Sequence, residues 1–138
     1  MPNLHPSASS RPPDEKITIN LGVIDLGQVD LLVQEGFYAN RTDFIRTAIR
    51  RQLSTHADSL QQVIARKTLV LGIQHYTAAD LRSIRKARER LDIRVLGLVS
   101  FAADVTPDLV RDTIASMTVL GTVQASAAVK AALASLQR

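Results

Sequence analysis

Cysteine is absent from this 138-residue chain, and so is tryptophan. Disulfides and thiolate metal sites are therefore excluded, which fits a reducing compartment. Aromatic residues make up only 4% of the chain, so any core must be built from Leu, Ile, Val and Ala. No apolar run approaches the roughly 20 residues that a membrane helix requires. The opening Met1-Pro2-Asn3 leads into no apolar segment of the kind a secretory signal needs. A cytoplasmic protein without a membrane partner is the expectation. His5, His56 and His75 are scattered, with no His-x-His or His-x₃-His spacing, so no metal or other cofactor is expected. No nucleophile–base pair, paired carboxylates or phosphate-cradling loop stands out, which argues against an enzyme.

What is present is an ordinary globular balance, with 46% hydrophobic and 22% charged residues. The net charge of +4 favours a polyanionic partner only mildly. Its distribution is uneven. Up to Arg66 there are seven Lys/Arg against seven Asp/Glu, whereas from Lys67 onward there are ten against six. The positive excess lies wholly in the second half.

Residues 1–13 hold Pro2, Pro6, Pro12 and Pro13 among several serines, without apolar periodicity, and read as a flexible arm. From Glu15 to Leu21 the chain alternates. Ile17, Ile19 and Leu21 fall on one side, and Lys16, Thr18 and Asn20 on the other. That period of two predicts a strand, yet no second strand lies nearby to pair with it. Asp25 with Gln28 has the spacing of a capping box that opens a first helix. Val29, Leu32 and Val33 form its stripe, and Gly36 stands where a left-handed terminator is wanted. Asn40 with Asp43 opens a second helix, whose stripe is Phe44, Ile45, Ala48, Ile49 and Leu53. Arg46, Arg50 and Arg51 fall mostly on its other faces. Leu60, Val63 and Ile64 keep the helical period, so this helix either extends towards Arg66 or breaks near Ser54-Thr55.

This strand, turn and pair of helices resemble the ribbon-helix-helix repressors of the MetJ/Arc/CopG class, including the N-terminal domain of nickel-responsive repressors. The residues that carry the resemblance are Lys16 to Leu21, the Gly36-Phe37 turn, and Asn40-Arg41-Thr42-Asp43-Phe44-Ile45-Arg46. It covers less than a third of the chain. Physical reasoning leads to the same place. The orphan strand can pair with its twin from a second protomer, giving an antiparallel two-stranded ribbon with two-fold symmetry. Ile17, Ile19 and Leu21 would then join Phe44, Ile45 and Ile49 in the core of a homodimer. Lys16, Thr18 and Asn20 would project into the major groove of double-stranded DNA, where Lys suits guanine and Asn suits adenine. The head of the second helix, at Asn40, Arg41 and Thr42, is suited to a backbone phosphate, a role the resemblance also implies.

The second half carries an internal repeat. Val70-Leu71-Gly72-Ile73, Val95-Leu96-Gly97-Leu98-Val99 and Val119-Leu120-Gly121-Thr122-Val123 are three versions of one pattern. Each reads as a buried strand followed by a helix, over about Ala78–Leu91, Pro107–Ser116 and Ala127–Leu136. The glycines suggest tight strand packing or a bulge. Successive βα units imply parallel strands. The expected fold class is thus α+β, an N-terminal ribbon-helix-helix followed by a small α/β domain of three βα repeats. In residue terms, the arm is 1–13, the DNA-binding and dimerisation domain 14–54, a helical extension or linker 55–66, and the repeat domain 67–138.

Arg82, Arg85, Lys86, Arg88, Arg90 and Arg94 cluster on the first repeat helix and its exit. A solvated helix face is the simpler account. The sharper one is non-specific DNA contact by Arg82, Arg85 and Lys86, with Arg11 contributing from the arm. The repeat domain itself can serve a small-molecule effector of unknown identity, bound at strand ends near Gln74–Tyr76, Ser100–Ala103 and Gln124–Ser126. It can instead join dimers into a higher oligomer through its sheet edges. The small, weakly polar strand-end residues favour oligomerisation. The functional expectation is a dimeric transcriptional repressor, with a plasmid-partition scaffold or an antitoxin as the alternatives.

Overall fold

The computed structural model describes residues 14–137, which form two compact units, Glu15–Ala65 and a C-terminal unit from Arg66 onward. The predicted arm, including Arg11, lies outside the described residues.

In the first unit, residues 14–22 run without helix or strand pairing into α1 (Val23–Gln34). This corrects the expected start. Gly22 is the N-cap and makes no side-chain cap, and Asp25 lies inside the first turn rather than before it. An acidic residue there is favoured by the helix dipole whether or not it caps, which is why the spacing misled. At the other end, Gly36 takes φ +86°. Its N–H donates to Val33 O at 3.1 Å and that of Phe37 to Leu32 O at 2.9 Å, the paired bonds of a Schellman terminator. α2 (Arg41–Thr55) follows, and His56 separates it from α3 (Ala57–Arg66). The break falls where the Ser54 and Thr55 hydroxyls donate back to Arg50 O and Arg51 O, at 2.9 and 3.2 Å. The core here is thin. Val29 is the one buried residue of α1, and neither α2 nor α3 buries any.

The C-terminal unit repeats strand then helix three times. Its elements are β1 (Val70–Tyr76), α4 (Ala78–Lys86), β2 (Leu91–Phe101), α5 (Pro107–Thr113), β3 (Ile114–Gln124) and α6 (Ala127–Ala134). The strands are parallel, in the order β1-β2-β3. Each helix starts on a hydroxyl cap. Thr77, Thr106 and Ser126 accept the N–H of Asp80, Leu109 and Val129 at 3.1 to 3.2 Å. Asp80 returns the favour by accepting from Thr77 N–H at 2.9 Å, and these bonds to Thr77 hold its carboxyl below the ordinary value. Pro107 occupies the first turn of α5. Leu81, Val95, Val99, Val110, Ile114 and Val129 are fully buried at the centre of one apolar cluster between sheet and helices.

Strands are longer and helices shorter than the sequence suggests. α4 stops at Lys86 rather than Leu91 because Arg88 adopts a left-handed conformation, φ +57°. Arg88 N–H then donates to Arg85 O and Glu89 N–H to Ile84 O. This is a second Schellman turn, without the glycine that would announce it. β2 can therefore begin at Leu91, and Leu91 and Ile93 extend its inward face.

The repeat glycines fall in one row across the sheet, Gly72 against Gly97 against Gly121. All three have positive φ, between 121° and 145°. A Cβ on Gly97 would stand 2.2 Å from Gly72 O, and one on Gly121 would stand 2.1 Å from Gly97 O. The contacts are with backbone, which cannot swing aside, so close strand approach and backbone conformation both demand glycine. Gly97→Ala should cost at least about 3 kcal/mol of stability. Arg88→Gly should gain about 0.5–1 kcal/mol by relieving the left-handed residue, less the entropy that glycine loses on folding. Denaturant titration of the two variants checks both signs, and a neutral Gly97→Ala would contradict the packing described.

Candidate nucleic-acid interface

The alternating segment predicted as a strand is exposed, forms neither strand nor helix, and joins no ladder among the described residues, because its own chain offers it no partner strand there. Ile17, Ile19 and Leu21 are 73%, 58% and 42% exposed. Apolar side chains at that exposure, in a regular alternation, are an unfinished packing surface. Beside them lies an apolar groove of about 410 Å³ between α1 and α2, walled by Ile19, Leu21, Val29, Phe44, Ile45 and Ile49. Five of the six residues expected to form a dimer core thus meet at this groove, and Ile17 precedes it in the same segment. Lys16, Thr18 and Asn20, the expected base readers, are all exposed.

The head of α2 is built from its cap outward. Asn40 is extended, φ −164°, and its Oδ1 accepts the Asp43 N–H at 2.8 Å. Asp43 reaches back to accept the Ala39 N–H at 2.9 Å. These two bonds fix the first turn and leave the Arg41 and Thr42 amides at the open end of the helix, where intrahelical partners do not exist. The edge-on contact of Tyr38 with Phe44, with centroids 5.0 Å apart, braces the approach to this turn.

The Arg41 side chain is not aimed at open solvent. It makes a bidentate ion pair with Asp30 of α1, Nε to Oδ1 at 2.7 Å and Nη2 to Oδ2 at 2.8 Å. That pair holds the Asp30 carboxyl below the usual range and raises the guanidinium. Its effect is to tie α1 to the head of α2. Asp30 carries no signal in the sequence, because the contact spans eleven residues and a turn and so follows no helical period.

In the C-terminal unit the basic cluster is partly committed. Arg85 pairs with Asp112 at 3.3 Å, and Arg90 donates to Arg111 O and Ile114 O. Arg94 binds Asp92 at 2.8 Å and Lys67 O at 3.0 Å. Arg82 and Lys86 are exposed on α4. At the strand ends His75 Nδ1 lies 2.9 Å from Ser100 Oγ, and the Tyr76 hydroxyl donates to Gln74 at 2.9 Å. Tyr76 stacks on Phe101, and burial pushes its phenol pKa up. No group of three or more His, Asp or Glu residues gathers at metal-binding distance among the described residues, and no helix there is long and apolar enough to cross a membrane.

The profile of the ribbon-helix-helix transcriptional regulator family matches residues 12–130, most of the chain. The chain belongs to this family. The match takes in the extended segment, α1, α2 and the C-terminal strands. It supports a DNA-binding transcriptional regulator and the ribbon-helix-helix element of an α+β fold, whose described residues form six helices and a three-stranded parallel sheet. No curated protein and no solved structure matches the chain.

The Asp30–Arg41 pair carries a pH signature. The folded pKa of Asp30 is depressed, so its contribution is complete above the unfolded value of about 3.9 and is lost as pH falls through the lower folded value. Both side chains are exposed, so added salt should weaken the effect. The thermal midpoint of the parent protein should fall more steeply than that of Asp30→Asn as the solution is acidified from about pH 5 down through that interval at low salt. Parallel curves would show that the pair contributes nothing.

Proposed function

We propose that this protein is a sequence-specific transcriptional repressor that binds operator DNA as a dimer. Residues 16–21 of two protomers form an antiparallel ribbon that lies in the major groove. The observation that carries this reading is the exposed Ile17-Ile19-Leu21 edge beside an apolar groove in a unit with almost no core of its own. A second protomer supplies both the missing strand and the missing apolar cover.

With that ribbon formed, the alternation turns Lys16, Thr18 and Asn20 outward together. Lys16 donates to guanine O6 or N7, Asn20 pairs with adenine, and Thr18 offers a hydroxyl and a methyl group. The Arg41 and Thr42 amides at the head of α2 clamp a backbone phosphate, with Asn40 holding the turn in shape. Since Asp30 holds the Arg41 side chain, the main chain is the principal phosphate donor at this point. Arg82 and Lys86 are available for weaker, sequence-independent phosphate contacts, as is Arg11 from the arm.

The neutral charge balance of the first half fits this division of labour. Reading is done by a few positioned side chains, not by a broad basic surface. The C-terminal unit joins dimers on DNA. Its strand-end polar groups bond to one another, His75 to Ser100 and Tyr76 to Gln74, which favours assembly over an effector site. Its folded sheet also favours a repressor over an antitoxin with a toxin-wrapping tail. The setting is the cytoplasm, in association with the nucleoid.

Selection of bound sequences from a random DNA pool with purified protein should yield a two-fold symmetric or tandem motif. The combined change Lys16→Ala, Thr18→Ala and Asn20→Ala should lower affinity for that motif at least about 100-fold while leaving salt-sensitive, non-specific binding in place. Unchanged specific affinity would sink the ribbon assignment.

A further inference from the structure

The two edges of the C-terminal sheet are finished differently. Along β3 the end of the chain covers the strand. Met117 N–H donates to Leu136 O at 3.0 Å, Gln137 Nε2 donates to Val119 O at 3.2 Å, and Met117 and Gln137 form a parallel bridge. β1 pairs with β2 on one side and, among the described residues, with no strand on the other. Its sequence, Val70-Leu71-Gly72-Ile73-Gln74-His75-Tyr76, holds no Lys, Arg, Asp, Glu or Pro. Charged residues and Pro are among the devices that keep natural sheet edges from pairing, and β1 has none of them.

Exposed apolar residues line this strand. Val70 is 51% exposed, Leu71 72% and Ile73 52%. Their register partners on β2 are covered, Val95 fully and Leu98 almost fully, with Leu96 half-buried. Val70 shares a row with Val95 and Val119 of the helix-facing core, whereas Leu71 and Ile73 lie on the opposite face of the sheet. A partner laid on either face would cover one set and leave the other in water. A strand placed alongside β1 covers both.

We propose that β1 is an interface strand that pairs, antiparallel, with β1 of a second copy of this chain, so that two three-stranded sheets become one of six strands. Three observations favour this occupant. The strand carries no Lys, Arg, Asp or Glu, so two copies meet without like-charge repulsion between such residues. A two-fold axis at Ile73, the midpoint of the seven residues, matches the whole strand to itself. The alternative of docking β1 on β3 of another copy is obstructed by the terminal residues that cover Met117 to Val119. This deepens the assembly role proposed for the C-terminal unit, but it stands or falls separately from DNA reading, since no residue of the ribbon takes part.

The absence of cysteine makes the test direct. Residues directly opposite in an antiparallel pair have Cα atoms about 4.5–5.5 Å apart, within disulfide range. In the full chain, Ile73→Cys should oxidise to a covalent dimer at least about tenfold faster than Leu120→Cys, a comparably exposed position on β3. Adding Leu71→Lys to Ile73→Cys should abolish that advantage. The proposal is overturned if Ile73→Cys stays a thiol under the same oxidant, or if Leu120→Cys links as fast. Either result leaves the specific-affinity measurement on Lys16, Thr18 and Asn20 to judge the ribbon on its own.

Discussion

An extended backbone with alternating apolar side chains is stable only beside another strand, and the rest of the N-terminal half follows from how that need is met. Lys16 to Leu21 finds no strand among the described residues of its own chain. α1 and α2 leave an apolar groove in place of a finished core. A unit of this size buries too little surface to hold itself together comfortably. The proposed pairing of two such units would remove both deficits at once and would set Lys16, Thr18 and Asn20 side by side on the ribbon's outer face. In the dimer proposed above, dimerisation and DNA reading would be one structural event specified by one short segment.

The C-terminal unit is organised by a different constraint. The glycine row lets three parallel strands approach at a point where a Cβ on Gly97 or Gly121 would strike the neighbouring carbonyl. Helices then return along the sheet, and Leu81, Val95, Val110 and Ile114 close a core that needs no partner. Its polar groups are largely spent on itself. Arg90 and Arg94 brace the strand entrances, and His75 and Tyr76 bond within the strand ends. With one edge covered and the other unpaired among the described residues, the unit suits the assembly role proposed above.

Much of this was legible because the controlling signals are local. The alternation from Glu15 to Leu21, Gly36 as a left-handed terminator, Asn40 with Asp43 as a cap, and the threefold Val-Leu-Gly pattern each lie within a few residues. The parallel sheet followed from the order of strand and helix. What escaped has physical reasons. Asp25 imitates a cap because acidic residues suit any first turn, so α1 was expected to start late. α4 ends early, at Lys86, because Arg88 beyond it is left-handed, and the sequence does not mark that position with glycine. The Asp30–Arg41 pair and the cover of β3 by Leu136 and Gln137 join residues distant in sequence, and periodicity is blind to both. Of the expected site, the fold gathers five of the six dimer-core residues at one groove and shows Arg41 held by Asp30, while the DNA-contacting roles belong to the proposal.

The most direct test is nuclear magnetic resonance on a mixed sample of isotopically labelled and unlabelled protein, without DNA. An intermolecular ribbon requires contacts between Lys16–Leu21 of one chain and the same residues of the other, in antiparallel order, with slowed amide exchange at alternate positions. Amides that exchange as in an unstructured peptide, with no intermolecular contacts from these residues, would contradict it.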